Sequence, residues 1–212
     1  MTETPTEPDP LFWKRKLAAF LHDPPSKCVN IGLHEDHART LYRQAGFTGE
    51  DELRRLGDTY AKPSDWTASA ADRFPFPVSR GNLRSSFDGV RSQFHHPLSL
   101  NQPFRFHKEF QSAEAAMEVD QLLQPAPDNV DTWSLGEQWR ARYFCHWRLW
   151  EKFCTEKDYR FAFLPGETRL PDHSVWTHMQ VTAALDSCSD STGKDAVLKP
   201  AFLKFQLGPV QE

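Results

Sequence analysis

The amino-acid sequence predicts a mainly α-helical domain that closes on one short β-strand, and three observations carry that expectation. Apolar residues recur at helical spacing through most of the chain, and the period changes to two only near the C-terminus. The 212 residues include 16 Phe and 7 Trp, large side chains suited to a core. With 39% hydrophobic and 25% charged residues, the composition is that of one globular domain, and the length is short for two.

Residues 1–10 alternate Thr, Glu, Asp and Pro, too polar to pack, and are expected to form a disordered leader. A first helix is expected over residues 11–22. There Phe12, Trp13, Leu17, Phe20 and Leu21 keep helical spacing while Lys14, Arg15 and Lys16 take the opposite face, and Pro24-Pro25 stops the helix. A second helix is expected over 34–45 with Gly46 as its stop signal, and a short charged one over 50–56. Pro63 suits the first turn of a third helix reaching residue 73, before Phe74-Pro75-Phe76-Pro77.

From residue 78 to 127 the pattern is mixed, and only an Ala-rich piece over 112–123 has helical character. Residues 133–153 are strongly amphipathic, with Trp139, Tyr143, Trp147, Trp150 and Cys154 on one stripe, and Pro165-Gly166 ends that unit. Asp172 suits the N-cap of a last helix over 174–185. A Ser/Asp/Gly-rich linker follows over 187–200, and in 201–212 Leu203, Phe205 and Leu207 alternate with Lys204 and Gln206 as in a half-buried strand. Such a strand needs a partner, either earlier in the chain or in a domain the chain does not complete.

The net charge of -4 supplies no global basic field, so contact with a polynucleotide must come from a local patch, a partner or a metal. Cys28, Cys145, Cys154 and Cys188 form no Cys-x-x-Cys pair and follow no signal-peptide core, which predicts reduced thiols in a soluble, cytoplasmic protein. No run approaches the ~20 apolar residues of a membrane helix, and no membrane partner is expected.

Hydrolysing a phosphodiester near neutral pH calls for a divalent metal, and imidazole with carboxylate are matching ligands. His22-Asp23 sets one of each side by side at a helix end that Pro24-Pro25 fixes. Taken alone, the dipeptide is better explained by a capping Asp beside a surface His, and its context has to lift it. His34 and His37 lie three apart on one helical face, where a solvated helix start with Glu35 and Asp36 explains them as well. Asp65, Ser69 and Asp72 share a face next to small residues; a carboxylate there wants a cation, unless Asp65 only complements the helix dipole. His178 falls on the apolar stripe of the last helix with Val175, Val181, Thr182 and Leu185, so burial is expected, as a core residue or a ligand. His173, at that helix's start, suits a solvated role.

In one order along the chain stand Leu21-His22-Asp23-Pro24-Pro25-Ser26-Lys27, His34-Glu35-Asp36-His37-Ala38, Ser64-Asp65-Trp66-Thr67-Ala68-Ser69-Ala70-Ala71-Asp72-Arg73 and Thr168-Arg169-Leu170-Pro171-Asp172-His173-Ser174-Val175-Trp176-Thr177-His178. Together they resemble the N-terminal HD domain of the large subunit of type III CRISPR effector complexes, most closely the type III-B form. Leu207-Gly208-Pro209-Val210-Gln211-Glu212 is similar to the opening of that subunit's first palm domain. The resemblance implies a circularly permuted HD fold over residues 11–186, in which the helix that opens an ordinary HD domain comes last. It treats 78–166 as a family-variable insert and 201–212 as the first strand of a truncated palm domain.

The resemblance further implies His178 as the first metal histidine, His22 and Asp23 as the paired ligands and Asp65 as the closing carboxylate. His34 or His37 serves a second ion, His34 fitting the family's His-Glu-x-x-Ala pattern better, and Asp72 carries over least directly. With His22 and Asp23, Lys27 is implied in catalysis, holding substrate phosphate as a point charge, and Arg73 is a further nucleic-acid contact. The implied activity is cleavage of single-stranded DNA with one or two divalent transition ions such as manganese or nickel, within an antiviral complex of other effector subunits, guide RNA and target RNA. The chain has no Gly-Gly-Asp-Asp motif, so nucleotide cyclisation is not expected of it. Two alternatives stand beside this: a catalytically silent scaffold docking other subunits and guide RNA, and an HD phosphohydrolase of small nucleotides. The aromatic and Arg-rich stretch Trp139 through Arg148 is expected mainly to be core covered by its arginines, with base stacking as the competing use.

Overall fold

The structure, a computed structural model, describes residues 7–28, 31–55, 61–72, 94–96, 99–104, 112–123, 132–166, 173–190 and 196–201. Helix α1 (Pro10–Leu21) begins where Asp9 accepts from the Leu11 amide at 2.9 Å and Pro10 takes the first turn, and it ends ahead of Pro24-Pro25. Two short 3-10 turns, Pro25–Cys28 and Ile31–Leu33, lead into α2 (His34–Gln44). Glu35 and Asp36 occupy the first turn of α2, and Gly46 leaves the helix with φ at +90°, a value an L side chain resists. Helices α3 (Glu50–Arg55) and α4 (Lys62–Asp72) follow.

A small antiparallel hairpin, β1 (Phe94–His96) and β2 (Ser99–Phe104), sets Phe94 opposite Phe104 and is broken by a bulge between His95 and His96. Strands this short, one containing Pro103, leave no sustained alternation in the sequence, which is why none was expected there. Helix α5 (Ser112–Leu122) precedes the longest helical run. That run is α6 (Leu135–Cys145), a wide π turn over His146–Trp150, and α7 (Glu151–Lys157), ending in a 3-10 turn over Tyr159–Phe163. The last helix is α8 (Val175–Asp186).

The architecture is mainly α. Helix α1 packs against α6 on one side and α8 on the other, α4 lies on α8, and α5 sits against α2 and the wide turn. Phe20 of α1 meets Tyr143 at 6.1 Å and Trp150 at 6.2 Å between ring centroids, and Trp150 meets Trp176 of α8 at 5.6 Å. Each such buried ring contributes roughly 2–3 kcal/mol over leaving it in water. Polar clasps join the first and last helices: the Lys16 ammonium donates to the Ala183 carbonyl at 3.0 Å, and Arg15 lies 3.3 Å from Asp186.

Two expectations are corrected in detail. Trp147 is 39% exposed while His146 is buried, because the wide turn carries an extra residue and rotates the stripe. Ser174, rather than Asp172, caps α8 by accepting from the Thr177 amide at 3.2 Å; Asp172 lies outside the described residues. The rest of the stripe, Trp139, Tyr143, Trp150 and Cys154, is buried. Arg142 is structural: its guanidinium donates to Ala45 O at 3.0 Å and lies over the Trp139 ring.

Within 187–200, the Lys199 amide donates a hydrogen bond to Cys188 O at 2.9 Å and the Asp190 amide donates one to Val197 O at 3.2 Å, so the flanks of this segment run antiparallel. The strand expected over 201–212 lies outside the described residues apart from Ala201, and the leader is described only from Glu7. Among the described residues no helix is long and apolar enough to cross a membrane, and Cys145, Cys154 and Cys188 are free thiols.

Candidate metal centre

The end of α1 delivers the first two side chains. His22 is the C-cap of α1 in helical conformation, and the following turn directs Asp23 inward until it is only 4% exposed. The Nδ1 of His22 lies 2.7 Å from Ala19 O, one helical turn back. With Nδ1–H donating there, Nε2 is left with its lone pair, as in metal-ligating histidines. That Nε2 is buried, makes no hydrogen bond among the described residues, and lies 3.6 Å from both Asp23 Oδ2 and Asp65 Oδ1.

Asp65 comes from the first turn of α4, where the helix dipole favours an anion and the Ser69 hydroxyl donates to its Oδ1 at 3.3 Å. His178 comes from α8, 2% exposed, with Nε2 at 3.4 Å from Asp23 Oδ2 and 3.3 Å from Asp65 Oδ1. The rings of His22 and His178 stand 5.6 Å apart between centroids, and one ligand atom from each of the four residues lies within 4.8 Å of all the others.

Two imidazole nitrogens therefore alternate with two carboxylates around a common centre. A tetrahedral ion with ligand bonds of about 2.1 Å puts neighbouring donors roughly 3.4 Å apart. The observed imidazole-to-carboxylate distances of 3.3 to 3.6 Å match that spacing. Burying two carboxylates and two imidazoles beside each other also calls for positive charge.

Burial alone pushes the Asp23 carboxyl up, but the neighbouring His22 and His178 rings and the Lys27 ammonium outweigh it and hold the group well below the usual carboxylate range. Asp65 behaves alike: burial raises it, and the adjacent His178 and His22 rings lower it by more. Both therefore remain anionic. The Tyr42 phenol, buried and within the field of Asp23, is raised by burial first and by that charge second, and donates to Ala18 O at 3.2 Å.

Lys27 pairs with Asp23 across one turn, its ammonium on the Oδ2 that faces both histidines. The buried Ser26 is bonded to His37 Nδ1 at 2.8 Å, which ties α2 to the turn carrying Lys27. The four-residue group includes neither His34 nor His37. Arg73 lies outside the described residues, as does the Asp72 side chain.

Gly166 is a contributor that sequence reasoning treated only as a terminator. Its amide donates to His173 O at 2.9 Å, and a Cβ there would stand 2.7 Å from His173 Nε2 and 3.2 Å from His178 Cβ. The absent side chain lets the loop close on the start of α8. A Pro-Gly pair signals a turn locally, but nothing in it reveals a contact with a helix further along.

A second buried polar group lies apart from this centre. His146, fully buried in the wide turn, bonds through Nδ1 to Arg142 O at 2.7 Å and presents Nε2 to Asp120 Oδ1 of α5 at 3.5 Å. Burial lifts the Asp120 carboxyl to about 7, partly offset by Arg142, and burial lowers His146 to about 4. Both are neutral between those values.

Comparison with known proteins gives one curated relative. The chain is 26% identical over 248 residues to the CRISPR system Cmr subunit Cmr2 of Pyrococcus furiosus, a match covering 93% of this chain and 26% of that protein. The chain thus spans about a quarter of the length of the curated relative it matches. No protein-family profile matches the chain, and no solved structure matches it.

Proposed function

We propose that this chain is the metal-dependent HD-type nuclease domain of a type III CRISPR effector large subunit, hydrolysing phosphodiester bonds in single-stranded DNA. The observation that carries the proposal is the convergence of His22, Asp23, Asp65 and His178, with imidazole Nε2 atoms 3.3 to 3.6 Å from carboxylate oxygens. Its first and last members come from helices at opposite ends of residues 11–186 that pack side by side, which supports a permuted HD topology. The similarity to a Cmr2 subunit along 93% of the chain supports assembly with other CRISPR effector subunits; guide RNA and target RNA as partners, and a cytoplasmic location, are part of the proposal.

His22, Asp23, Asp65 and His178 would hold one divalent transition ion, manganese or nickel suiting mixed nitrogen and oxygen ligands. When bound, such an ion supplies Lewis acidity toward phosphoryl oxygens and lowers the pKa of water. Ala19 O keeps the His22 ring in the tautomer that exposes Nε2. Lys27, beside Asp23 at the edge of this group, would offer its ammonium to a substrate phosphate as a point charge. His34 or His37 would serve a second ion, His37 being held at Nδ1 by Ser26.

The test is incubation of the purified chain with labelled single-stranded DNA and manganese, comparing wild type with the His22→Ala, Asp23→Ala double variant. Cleavage by wild type with loss to background in the variant is expected. Equal cleavage by both ends the assignment to this centre, and silence of both, in the chain alone and in a reconstituted complex, favours the scaffold.

A further inference from the structure

The long helical run has two faces with different employment. Trp139, Tyr143, Trp150 and Cys154 point into the core. On the outer side, Arg148, Lys152 and Thr155 recur at spacings of four and three and form one ridge over the wide turn and α7. Across from them stands the 3-10 turn Tyr159–Phe163, with Tyr159 67% exposed and Phe163 half-buried. Between ridge and turn runs an open groove of about 490 Å³, with Glu151 and Thr155 among its lining. One wall is cationic and the other aromatic.

We infer that this groove is a holding site for single-stranded DNA, with phosphates on Arg148 and Lys152 and bases stacked on Tyr159 and Phe163. Extended single strands are bound in this manner, by cations that track the backbone and aromatic faces that accept any base. The charges fit an anion. Among the described residues Lys152 pairs with the exposed Glu156 at 3.7 Å, a pair worth little in water, and the acid inside the groove, Glu151, has its carboxyl pushed up by burial. These two cations, Arg148 and Lys152, stand side by side on a chain of net charge -4.

The aromatic wall is held firmly to the helix that presents His178. Trp176, buried on α8 two residues before His178, donates its indole N–H to Phe161 O at 2.7 Å, and the Val175 amide donates to Leu164 O at 2.7 Å. A strand in the groove therefore lies against elements tied to the start of α8. The choice of DNA as occupant rests on the nuclease proposal, while the groove's chemistry does not.

The experiment measures binding without hydrolysis, by fluorescence anisotropy of labelled oligodeoxythymidine with the whole chain in the presence of chelator. Tyr159→Ala is expected to weaken binding roughly 5- to 150-fold, the loss of one stacked base, and to equal wild type on an abasic strand. Arg148→Ala with Lys152→Ala is expected to reduce the slope of log K against log salt by about 1.4, as two single-strand phosphate contacts contribute. All three side chains face solvent, so unchanged melting temperatures accompany these losses. Variants that bind like wild type, or a wild-type chain that binds an apolar peptide in the groove but no DNA, overturn the inference. Failure of the nuclease proposal is distinguishable, since it is read from cleavage by the His22→Ala, Asp23→Ala variant and leaves chelator binding untouched.

Discussion

Asp120 and His146 show how a half-buried acid and a buried imidazole with opposite preferences share one contact. In the unfolded chain Asp120 ionises near its ordinary value of about 4, whereas in the fold burial holds its proton to about 7. Between those values the native state binds the extra proton, so stability from this group falls as pH rises through the window and is level above it. For His146 the unfolded state binds the extra proton between about 4 and 6.5, so stability rises with pH there. The two slopes oppose each other up to about 6.5, which masks both in the wild type. Asp120→Asn removes only the acid, and the variant should gain on wild type as pH increases from 4 to 7, by at most about 4 kcal/mol. Thermal melts of both proteins across that range check this; a difference constant with pH sinks the assignment. Neither partner of this pair carries a sequence signal, since Asp120 follows Val119 in an Ala-rich helix and His146 sits where the regular stripe expected Trp147.

At the scale of elements, helix caps divide into those that merely hold the fold and those that also aim a candidate ligand. Ser134 and Glu137 form a reciprocal capping box at the start of α6, far along the run from any ligand, while Ser174 caps α8 one turn before His178. Ser134→Ala and Ser174→Ala should each cost about 1 kcal/mol in urea unfolding. Only Ser174→Ala should also weaken manganese binding, because a frayed first turn loosens the backbone that carries His178. Isothermal titration of both variants separates the cases, and an equal effect on metal affinity would count against His178 as a ligand. The elements themselves were largely legible in the sequence: α1, α2, α4, α5 and α8 lie within a few residues of the spans that periodicity and Pro or Gly punctuation marked. The hairpin of β1 and β2 and the wide turn were not. Short, bulged strands have no period to detect, and a π turn is an inserted residue whose effect appears only when the helix is packed.

For the whole molecule, the decisive contact is between its first and last helices. Trp176, Met179 and Ala183 of α8 share one core with Leu17, Phe20 and Leu21 of α1, and the same meeting brings His178 to Asp23. A chain ended after residue 172 loses α8 entirely and should show no cooperative melting by calorimetry, whatever ions are present. A cooperative transition in that shortened chain would mean that α1 and α6 form a core without the last helix.

By itself, the sequence determined that the protein is mainly helical and where its helices start and stop, because spacing, proline and capping side chains act within a few residues. It also held every member of the candidate centre, and their order in the chain resembles a known family. The tertiary structure decided which of those members meet. His22, Asp23, Asp65 and His178 are brought within reach, while His34 and His37 stay outside the group, because a ligand set depends on how helices distant in sequence pack. It likewise decided which face of the aromatic helix is core and which is groove, since both faces carry rings and burial is conferred only by the neighbours that cover them.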